Sequence, residues 1–292
     1  MGTPDRILHI TKIAFVESLR EIDGHTAESL AKVVGAELAA AGAGPVLEVF
    51  RCDGVAGFRE IVARLVIEAE RSLHHPLLHI ECHGSETAGL EFADGSIVSW
   101  QELMSVLRPL NVATELGLIV VVAACWGGSA IDGVNLTQPA PCFALIGPSH
   151  GLWSNELFDA LRVFYLDVTL VRTPTNNAIE TLINAPLEVG GFLVVSMREW
   201  FMRVVVGYLN NQTSLKERKA QALRQYIKAR AEGLHHLDMT YWKRHYLRTM
   251  PKFLRDFHSR FFMTERFPQH ASHFAKSLQD VGDELKRRGF GG

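Results

Sequence analysis

Short apolar runs alternate with longer segments of helical periodicity through the first two thirds of the chain. The runs predict strands, and apolar residues three or four positions apart predict helices between them. Strands alternating with helices predict an α/β fold with a mainly parallel sheet flanked by helices. The strands are predicted at 6–17, 45–52, 77–82, 116–124, 142–147 and 192–196, and the helices at 27–41, 55–73, 100–107 and 154–165, with a weaker helical pattern at 176–185.

The pattern changes near residue 197, where long, basic, helix-favouring segments begin. Helices are predicted at 214–233, 241–262 and 270–288. Residues 1–196 hold 11 Lys and Arg against 23 Asp and Glu, whereas residues 197–292 hold 19 against 9. The sequence therefore predicts an α/β domain at 1–196 and a basic helical C-terminal region at 197–292. Such a charge division fits two parts that attract each other, a basic region with an acidic partner, or a helical layer docked on an acidic body.

Composition places the chain among folded, soluble proteins. It has 292 residues, with 47% hydrophobic and 21% charged residues and a net charge of −2. Four cysteines in this length do not form a disulfide framework, which favours a reducing compartment. No signal peptide is evident at the N-terminus, and the apolar segment 191–209 is interrupted by Arg198, Glu199 and Arg203, which argues against a membrane span. We expect a cytoplasmic protein.

Two apolar runs end in residues that can perform chemistry. LGLIVVVAACWGG at 116–128 contains Cys125, and PLLHIECHG at 76–84 ends in His83 and Gly84. The carboxyl ends of parallel strands share one edge of the sheet, where ligands bind in open α/β folds. A histidine beside a cysteine can accept its proton and later protonate a leaving amine. Backbone N–H groups near Gly84 and Cys125 would stabilise the developing oxyanion.

Either residue alone has a structural explanation, because free cysteines are most often small core residues. The joint pattern is more specific, and it resembles the caspase-like cysteine peptidases of clan CD, especially bacterial caspase-like proteins with CHAT-type domains. The resemblance covers about residues 5–196 and rests on 77–84, on 119–128, on the Asp94-Gly95 hairpin signal and on CFALIGP at 142–148. It implies His83 as general base and acid, Cys125 as nucleophile and the Gly84 backbone as oxyanion donor.

The specificity pocket does not follow from the resemblance. Some relatives that cut after Arg or Lys have an acidic residue two positions before the cysteine, where this chain has Ala123. Glu17, Glu21 and Asp23, which follow the first strand, are candidates for a substrate channel, although such residues are more often plain loop charges. Trp126 either lines a pocket or fills core space. Cleavage after a basic residue would suit the acidic domain.

A metal site and a nucleic-acid site are weaker alternatives. His79, Glu81 and His83 alternate and so share one face of a strand, but no CxxC or HExxH motif is present and we expect neither a metal nor a cofactor. The basic helices suggest a nucleic-acid partner, yet no binding motif occurs in them and solvated helix faces explain their charges better. The aromatic positions Trp242, Tyr246, Phe253, Phe257, Phe261 and Phe262 are more typical of a core or a docking surface than of base stacking.

The first hypothesis is therefore a caspase-like endopeptidase that acts on a protein or peptide substrate. Bacterial relatives are often regulated effectors in antiviral defence or cell-death pathways, so the resemblance also implies a latent enzyme that waits for a small molecule or a partner protein. The second hypothesis is a catalytically silent signalling or scaffold module of the same fold. The third is a nucleic-acid-binding protein that uses the basic helices.

Overall fold

The structure is a computed structural model that describes residues 10–42, 44–72, 76–134, 138–170, 191–213, 215–233 and 238–288. Its strands are β1 (Lys12–Glu17), β2 (Val46–Arg51), β3 (Pro76–Glu81), β4 (His83–Ser85), β5 (Gly89–Glu91), β6 (Ile97–Val98), β7 (Ile119–Ala123), β8 (Ala144–Pro148) and β9 (Phe192–Ser196). Its α-helices are α1 (Thr26–Ala40), α2 (Val55–Ser72), α3 (Trp100–Ala113), α4 (Ser154–Leu170), α5 (Met197–Thr213), α6 (Leu215–Ala231), α7 (Met239–Phe261) and α8 (Ala271–Arg287).

Six strands form one sheet in the order β2-β1-β3-β7-β8-β9. All neighbouring pairs run parallel except β8 with β9, which are antiparallel. The predicted α/β class, with a mainly parallel sheet flanked by helices, is confirmed. The hairpin signal also corresponds to structure, because β4, β5 and β6 form a small antiparallel sheet directly after β3.

The connections of the sheet reverse direction between β1 and β3. From β1 the chain crosses through α1 to β2 on one side, whereas from β3 it crosses through α3 to β7 on the other side. Right-handed crossovers in opposite directions place their helices on opposite faces. The gap between the carboxyl ends of β1 and β3 is therefore the topological switch point, which is the usual ligand site of such sheets.

Alternate strand residues bury one face of the sheet against α1 and α4, which pack on each other. Phe15, Leu77 and Val121 belong to this core and are fully buried. Their neighbours Ala14, Leu78 and Val120, which point the other way, are equally buried. Strands covered on both faces read as continuous apolar runs, which is why the sequence pattern identified them.

Several element boundaries differ from the prediction. The strand predicted from residue 116 begins at 119, because Glu115 and Leu116 have left-handed backbone angles and turn the chain. The strand predicted from 142 begins at Ala144.

The helix predicted to stop at 107 continues to Ala113 through Pro109, because Leu110 and Asn111 still face the core. The first strand, predicted at 6–17, spans 12–17 in the structure. Residues 6–9 of the prediction lie outside the described residues. The weak helix at 176–185 lies outside the described residues too.

The chain divides into two compact units. The first holds the residues up to Met197 apart from a short stretch before Ala140, and the second runs from Arg198 to Gly292. Within the second unit, Phe261 and Phe262 are fully buried and pack against the ring of Phe201. These two aromatic positions therefore belong to a core. In the described part of the chain, no helix is long and apolar enough to cross a membrane.

Candidate active site

His83 and Cys125 follow two neighbouring parallel strands. Glu81 at the end of β3 is paired with Ala123 at the end of β7, so that His83 and Cys125 each lie two residues beyond the same rung. Gly84 joins the two segments: a Cβ atom added to it would lie 2.0 Å from the Cys125 carbonyl oxygen. Only glycine permits this approach. The structure thus brings the His-Gly segment and the cysteine turn into direct backbone contact.

The Cys125 turn has an unusual backbone. Its hydrogen bond runs from the Gly127 N–H to the Ala124 carbonyl at 2.9 Å, and Trp126 takes left-handed angles of φ 61° and ψ 18°. A bulky residue in this region is strained by about 1–3 kcal/mol. The backbone N–H of Trp126 donates to the His150 carbonyl at 3.2 Å, and the Trp126 carbonyl accepts from the backbone N–H of Ser129 at 2.7 Å. These bonds hold the turn and leave the Cys125 side chain exposed.

His83 is oriented by a carboxylate across the switch point. Its Nε2 lies 2.9 Å from Oδ2 of Asp23, in the short helical turn after β1. An ionised carboxylate only accepts, so Nε2 carries the proton and Nδ1 of the neutral ring remains an acceptor. The hydrogen bond to His83 is the main reason why the pKa of Asp23 is lowered. The His83 side chain is 40% exposed and so is open to a substrate.

The thiol of Cys125 and the imidazole of His83 lie on adjoining backbone segments. Among the hydrogen bonds of the described residues, none joins the Cys125 thiol to His83. Catalytic hydrogen bonds often tighten only when substrate is present. The structure therefore places an acceptor, Nδ1, and an exposed thiol on adjoining segments.

Glu17 is not part of an open channel. It is 2% exposed, and its carboxylate accepts hydrogen bonds from the backbone N–H groups of Ala27 at 3.0 Å and Glu28 at 3.4 Å, in the first turn of α1. Its other oxygen lies 2.9 Å from His25 Nδ1. A carboxylate at a helix N-terminus is stabilising. Glu17 thus fixes the start of α1 and with it the preceding turn that carries Asp23.

Glu81 is a second buried carboxylate on the same face. It accepts a hydrogen bond from the hydroxyl of Thr26, the first residue of α1, and its other oxygen lies 3.4 Å from His79 Nε2. The other nitrogen of His79 is 2.7 Å from the Tyr165 hydroxyl. Burial raises the pKa of Tyr165 well above its usual value, so the phenol stays protonated and donates to His79. This chain of bonds ties β3 to α1 and α4 directly beneath the site.

The structure places the remaining predicted residues around the same rim. Glu21 is exposed in the turn that carries Asp23. Trp126 is half-buried, and its ring packs on His150, 5.1 Å between centroids. Gly84 is beside Cys125, while its role as an oxyanion donor stays a prediction. Among the described residues, no group of three or more His, Cys, Asp and Glu side chains is arranged to hold a metal ion.

Three functional features were not predicted from the sequence. The pairing of Asp23 with His83 joins residues 60 positions apart, and only the switch-point topology gives a hint of it. The strained Trp126 has no signal in the sequence, because this position usually takes glycine. The third feature is Gly151, whose added Cβ would lie 3.7 Å from the Cys125 sulfur. No family model matches the chain, and neither does any curated protein.

Proposed function

We propose that the protein is a caspase-like cysteine endopeptidase with Cys125 as nucleophile, His83 as general base and acid, and Asp23 as the group that orients His83. The observation that supports the proposal is the contact of Gly84 with the Cys125 carbonyl, which joins the backbone segments that carry His83 and an exposed thiol beyond two neighbouring strands. A scaffold module has no need of an exposed thiol and a carboxylate-held imidazole on adjoining segments.

The chemistry follows from these positions. His83 Nδ1 accepts the thiol proton, and the sulfur attacks the peptide carbonyl carbon to form a C–S bond and an oxyanion. Backbone N–H groups of the rim stabilise that oxyanion. The C–N bond then breaks, His83 returns the proton to the leaving amine, and an acyl thioester remains. Water attacks the thioester, gives its proton to His83 and releases the acid, and the proton returns to the thiol.

Asp23 acts through His83. Because its carboxylate accepts from Nε2, it fixes the tautomer that leaves Nδ1 free and stabilises the imidazolium that forms during attack. We include latency in the proposal: the missing thiol–imidazole bond fits an enzyme that is completed by its substrate or by an activating small molecule or partner protein.

The test is cleavage of a diverse peptide library by the purified full chain, with and without candidate activators. Cys125→Ala and His83→Ala should reduce cleavage to background, a loss of about 10⁴-fold or more. Asp23→Asn should lower kcat with little change in KM, because it alters the base rather than substrate contacts. Cys52→Ala removes a half-buried thiol that follows β2, three strands away from β7 in the sheet, and serves as the matched control for Cys125→Ala. Cleavage that survives Cys125→Ala would disprove the proposal.

A further inference from the structure

The rim has an uncharged side that the proposed chemistry does not use. The segments that follow β7 and β8, residues 124–131 and 149–155, contain no Asp, Glu, Lys or Arg. They meet at the thiol, since the Trp126 N–H is bonded to the His150 carbonyl and a Cβ at Gly151 would approach the Cys125 sulfur. A substrate side chain placed on this side of Cys125 meets rings and backbone rather than charges.

Gly151 marks open space next to the nucleophile. Among described residues other than His150 and Leu152, which adjoin Gly151 in the chain, only the Cys125 sulfur, at 3.7 Å, would lie within 4 Å of its added Cβ. That distance is ordinary van der Waals contact, and Gly151 does not have left-handed backbone angles. The backbone therefore accepts a Cβ atom here, and the missing side chain leaves room beside the sulfur, which we call the slot.

Aromatic rings flank this slot along the chain. Trp126 and His150, whose rings pack at a tilt of 42°, contribute one residue from each of the two segments. Trp153, two residues after Gly151 and just before α4, is 71% exposed. The backbone N–H of Trp153 donates to the carboxylate of Glu156 at 3.3 Å. Glu156 is the first acidic residue after the uncharged segment. An exposed tryptophan two residues from Gly151 is a surface suited to another aromatic group.

We propose that Trp126, His150, Gly151 and Trp153 form the subsite for the substrate residue that precedes the scissile bond, and that this subsite takes a large aromatic side chain. The inference rests on the proposed function and names its substrate class. A carboxylate or guanidinium in the slot would lose water without gaining an opposite charge from either segment, which is unfavourable. An aromatic ring loses nothing polar and gains ring contacts. This replaces the expectation of cleavage after a basic residue.

The experiment compares four fluorogenic peptides that are identical except for Phe, Ala, Arg or Asp before the scissile bond. The same four sequences are also made as C-terminal aldehydes, to which a thiol adds to form a hemithioacetal without any leaving group. We expect kcat/KM and aldehyde affinity to be about tenfold or more higher for Phe than for Ala, and lower still for Arg and Asp. A preference for Arg or Asp would overturn the inference and leave the proposed function intact.

Two variants test the residues that form the subsite. Gly151→Val fills the slot. It should lower kcat/KM for the Phe peptide about tenfold, so that the Ala peptide becomes the better substrate. Trp153→Ala should lower kcat/KM for the Phe peptide by a similar factor and leave kcat/KM for the Ala peptide unchanged. Ile67→Ala, which removes a 48% exposed apolar side chain from α2, is the matched control. Equal loss for all four peptides in both variants would contradict the subsite, whereas failure of every peptide and aldehyde to react with Cys125 would overturn the proposed function itself.

Discussion

The two strand ends that meet at the site are held in place by different physical means. On the side of His83, two buried carboxylates, Glu17 and Glu81, fix the N-terminus of α1, and Asp23 in the preceding turn holds the imidazole. On the side of Cys125, backbone contacts and turn hydrogen bonds determine the geometry, and the two segments around the thiol carry no charged side chain.

The difference corresponds to two tasks. A general base needs a fixed tautomer and a fixed orientation, and charged hydrogen bonds supply both because they are strong and directional. A nucleophile needs exposure and room for a substrate, and glycines supply room because they place no side chain in the way. Under the proposed function, charges are concentrated where a proton would move, and small or aromatic residues where a substrate would bind.

Gly84→Ala should show the largest effect, because its Cβ would overlap a backbone oxygen that cannot move alone. We expect cleavage to fall about a hundredfold, the usual result of an ångström-scale misplacement, with a lower melting temperature. Gly151→Ala is the matched change on the other side and should leave the melting temperature unchanged, since its Cβ has ordinary contact distances. Kinetics and thermal unfolding of both variants measure this. An active Gly84→Ala enzyme would show that the backbone contact is unimportant.

Alkylation should separate two cysteines that lie at the ends of adjacent strands. Cys82 is buried on the opposite face to His83, and burial raises the pKa of its thiol, whereas Cys125 is exposed. Iodoacetamide should modify Cys125 at least about tenfold faster than Cys82 in the folded protein. Cys52, whose pKa is raised by burial to about 11, should also react slowly. Mass spectrometry of the digested protein gives the rates, and equal labelling in denaturant is the control.

Glu17→Gln tests the charged side alone. The amide oxygen can still accept from the two backbone donors, which share Oε1, but an NH₂ group then stands at Oε2, which faces His25 and Arg51. The substitution also removes the negative charge that stabilises the N-terminus of α1. We expect a loss of about 1–3 kcal/mol in the free energy of unfolding. Glu21→Gln, in the exposed turn nearby, should change it little. Chemical denaturation measures both, and equal stabilities of the two variants would contradict a structural role for Glu17.

The smallest effect concerns acid pH. The pKa of Asp23 is lowered in the folded protein, chiefly by the His83 hydrogen bond. Its contribution to stability is therefore fully present above the ordinary value of 3.8 and is lost as the pH falls through the lowered folded value. Asp23→Asn should remove this part of the pH dependence. Melting temperatures of the original protein and of Asp23→Asn between about pH 2 and pH 6 test this prediction. The same pH dependence in both proteins would argue against the hydrogen bond between Asp23 and His83.

Much of the fold could be predicted because its strands are covered on both faces. Runs such as 119–123 are apolar throughout, and the helices between them keep one apolar face, so element order and class follow from local pattern. The end of α3 was missed because Pro109 usually stops a helix, and burial of Leu110 and Asn111 outweighs that preference. His83 and Cys125 could be chosen as candidates because each directly follows such a run.

The sequence by itself determined which elements form, where the reactive residues stand along the chain and how charge is divided between its two parts. Only the tertiary structure decided that Asp23 holds His83, that Glu17 is a helix cap and that Gly151 adjoins the Cys125 sulfur. The reason is that periodicity is a local property, whereas these contacts join separate strand ends. Crossover direction and sheet register bring those ends together, and both arise from the packing of the whole sheet.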